Sequence, residues 1–378
     1  MPASAAPTPP ATPLDADELG AWLQLLHSPG VGRPTARRLL ARFGSPQGVI
    51  AAPVDALREA VDEPTAAALT RPPDGHARRL ADTLAWLDGG PDRRVMVLGD
   101  ADYPEPLLNS ADPPLLLYLH GRSTLLQRPM LAIVGSRRPS AQGRDNARRF
   151  AQALAAQGWA ITSGLAAGID GAAHEGALAA LGDTVAVVGT GIDRVYPAGH
   201  QALARRIAAA GLIVSELSLG TPPLAANFPQ RNRIIAGLSR GTLVVEAALR
   251  SGSLITARLA AEAGREVMAI PGSILSPQSA GCHALIRQGA ALVESPEQVL
   301  EELGITAPAT APAAAAPPSA AAEDAVLQAL GHDPLTLDAL IDRCGWTAPA
   351  LSAHLLTLEL DGLVARLPGG LYQRRQAS

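Results

Sequence analysis

Apolar positions along this chain change period twice, which divides it into three patterned segments at about 15–90, 91–304 and 323–376. In the first segment apolar residues recur at helical spacing. One apolar helix runs into Pro29-Gly30-Val31-Gly32, and a second begins near Pro34 with Leu39, Leu40 and Phe43 on one side. Two glycines in so short a turn allow a tight hairpin with exposed amides, so this segment is expected to be a helical domain of the SAM or helix-hairpin-helix type. Such a hairpin either holds a DNA phosphate on its amides, with Arg33, Arg37 and Arg38 alongside, or serves only as a packing unit with solvated arginines.

The middle segment alternates short apolar runs with helical stretches. The runs are Met130–Val134, Trp159–Thr162, Thr184–Val188, Leu212–Ser215, Thr242–Val245 and Glu266–Ile270. Runs without polar alternation predict strands covered on both faces, hence an α/β domain with a Rossmann-like parallel sheet and crossover helices. The runs end in small residues or carboxylates: Gly135-Ser136-Arg137, Ser163-Gly164, Gly189-Thr190-Gly191, Glu216, Glu246 and Pro271-Gly272-Ser273. In open α/β sheets these carboxyl ends converge on a ligand crevice. No GxGxxG turn is present and no acidic residue closes the second run, so no dinucleotide cofactor is expected.

The last segment predicts helices near Ala322–Leu330, Thr336–Cys344 and Ala348–Asp361, then two short strands around Gly369-Gly370. Three helices and a β-hairpin outline a winged-helix domain over 323–376. Its third helix lacks arginine and ends in Glu359 and Asp361, which favours packing or partner binding over contact with duplex phosphates. Between the second and third segments, residues 305–322 form a Pro/Ala-rich linker. Residues 1–14 lack the basic start and apolar centre of a signal peptide and are expected to be a disordered leader. No window is long and apolar enough to span a bilayer, and the two cysteines, Cys282 and Cys344, stand outside any metal-ligand spacing. A cytoplasmic protein with reduced thiols is the expectation.

A net charge of −4 argues against a nucleic-acid partner at first sight. The chain contains no lysine, however, so every basic side chain is arginine, the residue suited to bidentate phosphate contacts. Where the arginines lie then matters more than their sum.

Four strings carry candidate chemistry. In Ile133-Val134-Gly135-Ser136-Arg137-Arg138 a strand ends in Gly-Ser before a helix expected near Gly143, which offers amides, a hydroxyl and a guanidinium to a phosphate. In Phe228-Pro229-Gln230-Arg231-Asn232-Arg233 two guanidiniums and an amide precede an apolar helix. Placed in its first turn they would oppose the helix dipole, a conflict that a bound anion relieves and that pairing with Glu216 or Glu246 would also relieve. In Glu246 to Ala257 a loop of small hydroxyl residues, with Gly252, opens a helix at Ser253, whose side chain is expected to cap it. In Ser163 to Asp170, Gly164 allows close approach of a ligand. Asp170 is expected as an N-cap, and His174 as a structural histidine.

Taken in order, AIVGSRRPS, SGLAAGIDGAAHEGAL, VAVVGTGIDRVYP, Ile213-Val214-Ser215-Glu216, NFPQRNRIIAGLS, VVEAALRSGSLITA and VMAIPG resemble the DNA-processing protein A family from about Leu98 to Leu303. The resemblance implies a cytosolic, non-enzymatic protein that binds single-stranded DNA, forms a homodimer and loads the RecA recombinase in natural transformation or recombination. It implies DNA-backbone contacts at Ser136, Arg137, Arg231, Arg233 and Ser253. Gly135, Ser163, Gly164, Asn232 and Gly252 complete the expected DNA-binding set, and Trp159, Tyr196 and Phe228 are the aromatic side chains available for stacking. No cofactor and no metal are implied. The chain departs from the family pattern at Ala167, where many members are basic, and at His200 and His283, where Asn is frequent. The alternative is a Rossmann-like nucleotide hydrolase that uses Glu246, faintly suggested by Gly241-Thr242, although Leu238-Ser239-Arg240 replace the glycines such a turn needs.

Overall fold

The computed structural model describes residues 14–180, 182–305, 324–331 and 333–375. All of the expected leader but Leu14, and all of the expected linker but Ile305, lie outside the described residues.

Six helices open the fold: α1 (Ala16–His27), α2 (Arg33–Phe43), α3 (Pro46–Ala51), α4 (Val54–Arg58), α5 (Glu63–Leu69) and α6 (His76–Asp88). Asp15 caps α1 by accepting from the Glu18 amide at 2.7 Å. Leu19, Trp22, Leu23 and Leu25 of α1 join Leu39, Val49, Leu57 and Leu69 in one buried cluster. The turn at Gly30, with φ +81°, lies against α5, where an added Cβ would stand 2.2 Å from the Thr65 hydroxyl. Of the two readings of this hairpin, packing is the one its geometry supports.

Then follow β1 (Arg93–Val97), α7 (Glu105–Leu108), β2 (Leu116–Gly121), β3 (Met130–Val134), α8 (Ala141–Ala156), β4 (Ala160–Ser163), α9 (Ile169–Ala179), β5 (Thr184–Val187), α10 (Gln201–Ala210) and β6 (Leu212–Ser215). The domain continues with α11 (Asn227–Leu238), β7 (Gly241–Val244), α12 (Ser253–Glu262), β8 (Glu266–Ala269), α13 (Ala280–Arg287), β9 (Ala291–Leu292) and α14 (Pro296–Glu302). The nine strands lie in the order β1-β2-β6-β5-β4-β3-β7-β8-β9. From β6 to β9 all neighbours are parallel, and β2 and β1 extend the sheet antiparallel beyond β6.

Strand β3 shows why the runs are uninterrupted. Met130, Ala132 and Val134 join the core on one face of the sheet, Leu131 and Ile133 the core on the other. Each of the larger ones, Met130, Leu131, Ile133 and Val134, contributes about 1.5–3 kcal/mol by leaving water, and truncating Ile133 to Ala would cost about 2–5 kcal/mol. The chain winds one way from β3 through β6, then crosses by α11 to β7 on the other side of β3. That reversal makes the β3/β7 boundary the topological switch point.

The C-terminal domain holds α15 (Ala325–Leu330), β10 (Leu335–Thr336), α16 (Leu337–Cys344), α17 (Ala348–Leu360), β11 (Val364–Leu367) and β12 (Leu371–Arg374), with the sheet order β10-β12-β11 of a winged helix. Among the described residues no helix is long and apolar enough to cross a membrane.

Three local expectations are corrected. Helix α11 starts at Asn227, so Arg231, Asn232 and Arg233 sit in its second turn and the anticipated conflict with the helix dipole does not arise. Asp170 is not the N-cap of α9; that position is Gly168, with φ +87°. Ser253 does not cap α12 either: the N-cap is Gly252, and the Ser253 hydroxyl pairs instead with that of Ser251 at 2.7 Å.

Candidate nucleic-acid interface

A cleft of about 800 Å³ opens at the switch point. Its walls are the loop after β3 (Gly135, Ser136, Arg137, Arg138), one face of α11 (Phe228, Arg231, Asn232) and the loop entering α12 (Arg250, Ser251, Gly252, Ser253). A smaller cavity of about 70 Å³ adjoins it, bounded by Gly164, Gly189, Tyr196, Phe228, Arg137 and Arg231.

The loop after β3 is held from beneath. The Ser136 amide donates to the Glu246 carbonyl at 2.7 Å, and the Ser136 hydroxyl accepts from the Arg138 amide at 3.1 Å. Gly135 is required by crowding, because a Cβ there would lie 2.7 Å from Ile169 and 2.8 Å from the Glu246 carbonyl. This leaves Arg137 and Arg138 exposed above the cleft. The Arg137 guanidinium lies 5.3 Å from the centre of the Phe228 ring, which in turn stands 5.8 Å from Tyr196. A cation and two aromatic faces thus share one edge.

Arg231 is the buried counterpart, 7% exposed. Its Nη1 donates to the Val187 carbonyl at 2.7 Å, while its Nε has no protein partner. Burial lowers its pKa to about 10, opposed by the Asp170 carboxylate, so the side chain stays cationic at neutral pH. Asp170 accepts from the Gly164 and Ala166 amides at 3.1 and 3.3 Å and thereby orders the loop after β4. Its own carboxyl is pushed upward by burial. Asn232 donates to the Gly252 carbonyl at 3.3 Å and ties α11 to the loop before α12.

Of the expected set, Gly135, Ser136, Arg137, Arg231, Asn232, Gly252 and Ser253 line the cleft, and Gly164 lines the adjoining cavity. Ser163 and Arg233 line neither. Ser163 is fully buried and donates to the Ile133 carbonyl at 2.6 Å inside the sheet. Arg233 stands two residues from Arg231 on α11, roughly 200° around the helix, and faces the N-terminal domain. There it pairs with Glu216, donates to the Asp112 carbonyl at 2.7 Å and lies 3.3 Å from the Asp112 carboxylate. Asp112 also receives Arg33 at 2.7 Å and Arg37 at 2.6 Å, so two arginines of the hairpin are engaged in docking the domains.

Trp159 is buried just before β4, at the opposite end of the sheet from the cleft, which leaves Tyr196 and Phe228 as the stacking surfaces. His174 is fully buried against the Thr184 hydroxyl at 2.7 Å, and burial brings its pKa to about 3, as suits a structural histidine. His200 and His283 find backbone partners at the Leu165 and Gly272 carbonyls, each at 3.0 Å. Glu246 sits behind the loop, accepting from the Ser140 amide at 2.9 Å and from the Ser140 hydroxyl, and does not line the cleft. Arg138 and Arg250 were not among the expected site residues. The signal for both was their place in a loop beyond a strand's carboxyl end.

The family model for DNA recombination-mediator protein A matches residues 94–304, and the model for the DprA winged helix domain matches residues 307–370. The chain belongs to the DNA recombination-mediator protein A family. It is 44% identical over 308 residues to protein Smf of Escherichia coli, covering 79% of this chain and 82% of that one. It is 50% identical over 203 residues to DNA processing protein DprA of Streptococcus pneumoniae, covering 54% of this chain and 72% of the relative. The X-ray structure of the S. pneumoniae protein superposes with a TM-score of 0.66 at 37% identity, covering 77% of this chain and 99% of that one. DNA processing protein A from Helicobacter pylori, whose structure concerns its single-stranded DNA binding mode, matches with a TM-score of 0.50 at 31% identity over 55% of this chain and 95% of that one. The family's α/β core and winged helix are therefore both present here.

Proposed function

We propose that this protein binds single-stranded DNA at the switch-point cleft without acting on it chemically, protects the strand and delivers it to the RecA recombinase as a homodimer in the cytoplasm. The observation that carries the reading is the pairing of exposed Arg137 with buried Arg231 across a cleft edged by Tyr196 and Phe228. Guanidiniums neutralise successive phosphates, and unpaired bases stack on the aromatic faces, which a duplex would keep covered by its own stacking. Gly252 leaves open space for the strand's backbone, while Gly135 and Gly164 make room for Ile169 and Arg231. The single-strand binding of the H. pylori relative supports this reading by kinship.

Glu246 is read here as a brace. A catalytic carboxylate must reach the substrate, whereas this one is engaged with Ser140. The function is tested by titrating labelled oligo-dT with the purified protein, against matched duplex, over a salt series. Preferential binding of the single strand, weakening steeply as salt rises, is expected. Equal binding to duplex, or none, overturns the reading. RecA delivery is tested separately by the rate at which RecA covers a strand already coated with this protein.

A further inference from the structure

The outer face of the winged-helix hairpin packs on the start of α8, and one side chain makes that contact specific. Gln373 of β12 is 2% exposed, and its Oε1 accepts from the Ala141 amide at 3.1 Å and the Gln142 amide at 3.4 Å. Those are the first two amides of α8, which have no partner within the helix. The third, Gly143, is capped by the Ser140 hydroxyl at 2.9 Å. Beside this contact Arg375 reaches the Asp145 carboxylate at 3.2 and 3.3 Å, the next turn along.

What the cap governs lies immediately upstream. Residues 136–140 form the loop that carries Ser136, Arg137 and Arg138 into the cleft. Glu246 holds both ends of that loop, through its carbonyl at Ser136 and its carboxylate at Ser140. Gln373 holds the helix turn into which the loop runs. None of the described winged-helix residues lines the cleft, so these residues neither cover the site nor add a phosphate contact inside it. We propose that Gln373 is a positioning residue of the single-stranded DNA site: the winged-helix domain caps α8 through this amide and so holds the loop bearing Arg137 in place for phosphate. The proposal rests on the single-strand reading above and assigns the winged helix a role in that same site.

The test uses the full chain and oligo-dT anisotropy, with a melting curve for each variant to establish that it folds. A helix cap worth ~1 kcal/mol bounds its effect on affinity at about fivefold, and Gln373→Ala is expected to weaken binding measurably, by up to that factor. Gln373→Glu keeps an acceptor for both amides but gives up the side-chain donor and buries a charge, so it is expected to bind more tightly than Gln373→Ala and less tightly than the parent. A residue that acts through the Arg137 loop is non-additive with it, so Gln373→Ala in an Arg137→Ala background is expected to add no further loss. Should Gln373→Ala fold poorly, Arg375→Ala loosens the same dock and is expected to weaken binding in the same direction, with an unchanged salt slope because Arg375 is engaged with Asp145. Parental affinity in Gln373→Ala, or full additivity with Arg137→Ala, overturns the proposal. Failure of the parent itself to bind oligo-dT overturns the single-strand reading instead.

Discussion

Gly164 and the guanidinium of Arg231 occupy adjoining space so closely that a Cβ at position 164 would lie 1.7 Å from Arg231 Nη1. The same nitrogen donates to the Val187 carbonyl, so it cannot move aside without breaking that bond. Gly164→Ala is therefore expected to push the guanidinium out of its slot. A charge-assisted contact from the displaced guanidinium to a phosphate is worth roughly 1.5–3 kcal/mol, so oligo-dT affinity should fall about tenfold or more, with the parent's fold retained by circular dichroism. Unchanged affinity would separate Arg231 from DNA binding.

Arg137 makes the complementary case. It is exposed and carries no ion pair among the described residues, so its charge is available to a phosphate. Arg137→Ala is expected to weaken oligo-dT binding and to lower the slope of log affinity against log salt by about 0.7, the contribution of one phosphate on a single strand. A weaker complex with an unaltered slope would mean that Arg137 acts on the bases or on Phe228 and not on the backbone.

Much of this was legible in the residues, for identifiable reasons. Strands buried on both faces read as unbroken apolar runs, and each strand from β3 to β8 stands within a residue of where the pattern puts it. Strand β1 escaped because it opens on Arg93 and Arg94, and β2 because its apolar run follows directly on Pro113 and Pro114, which read as a turn. Strand β9, at two residues, has no period to detect. Two expected site residues, Arg233 and Ser163, line neither cavity, each for its own reason. With α11 begun at Asn227, Arg231 and Arg233 point to opposite sides of the helix, and the two cannot share a cleft. Ser163 shows the converse limit, since a strand's last residue faces either the ligand or the sheet interior, and only the pleat decides which.

The second face of α11 predicts a stability effect. Burial disfavours the Asp112 carboxylate, but the Arg37 hydrogen bond and the charges of Arg233 and Arg33 outweigh it and hold the carboxyl below its ordinary value of 3.8. A carboxyl lowered on folding stabilises the protein above the unfolded pKa and loses that contribution as pH falls through the folded one. Asp112→Asn is expected to reduce stability by about 1–2 kcal/mol near pH 7, a figure kept small by the 30% exposure of the side chain. The gap in melting temperature between parent and variant should be widest at neutral pH and narrow below about pH 4. A gap that stays constant with pH would show that the asparagine disturbs packing and not the ion cluster.

Glu246 predicts the opposite sign. Burial raises its carboxyl above the ordinary 4.5, opposed by the Ser140 hydroxyl and amide, so the ionised form is disfavoured on folding. A group raised on folding gives its stabilisation below the unfolded pKa and loses it as pH rises through the folded value. Relative to Glu246→Gln, which cannot titrate, the parent should therefore gain melting temperature as pH is lowered from 7 toward about 4.5. The same variant decides between a brace and a catalyst. A brace predicts that oligo-dT binding weakens modestly as the loop at Ser140 loosens, while neither protein releases base from nucleoside monophosphates. Base release by the parent that Glu246→Gln abolishes would return the cleft to enzymology, and it would require the carboxylate to leave Ser140 before it could reach a substrate.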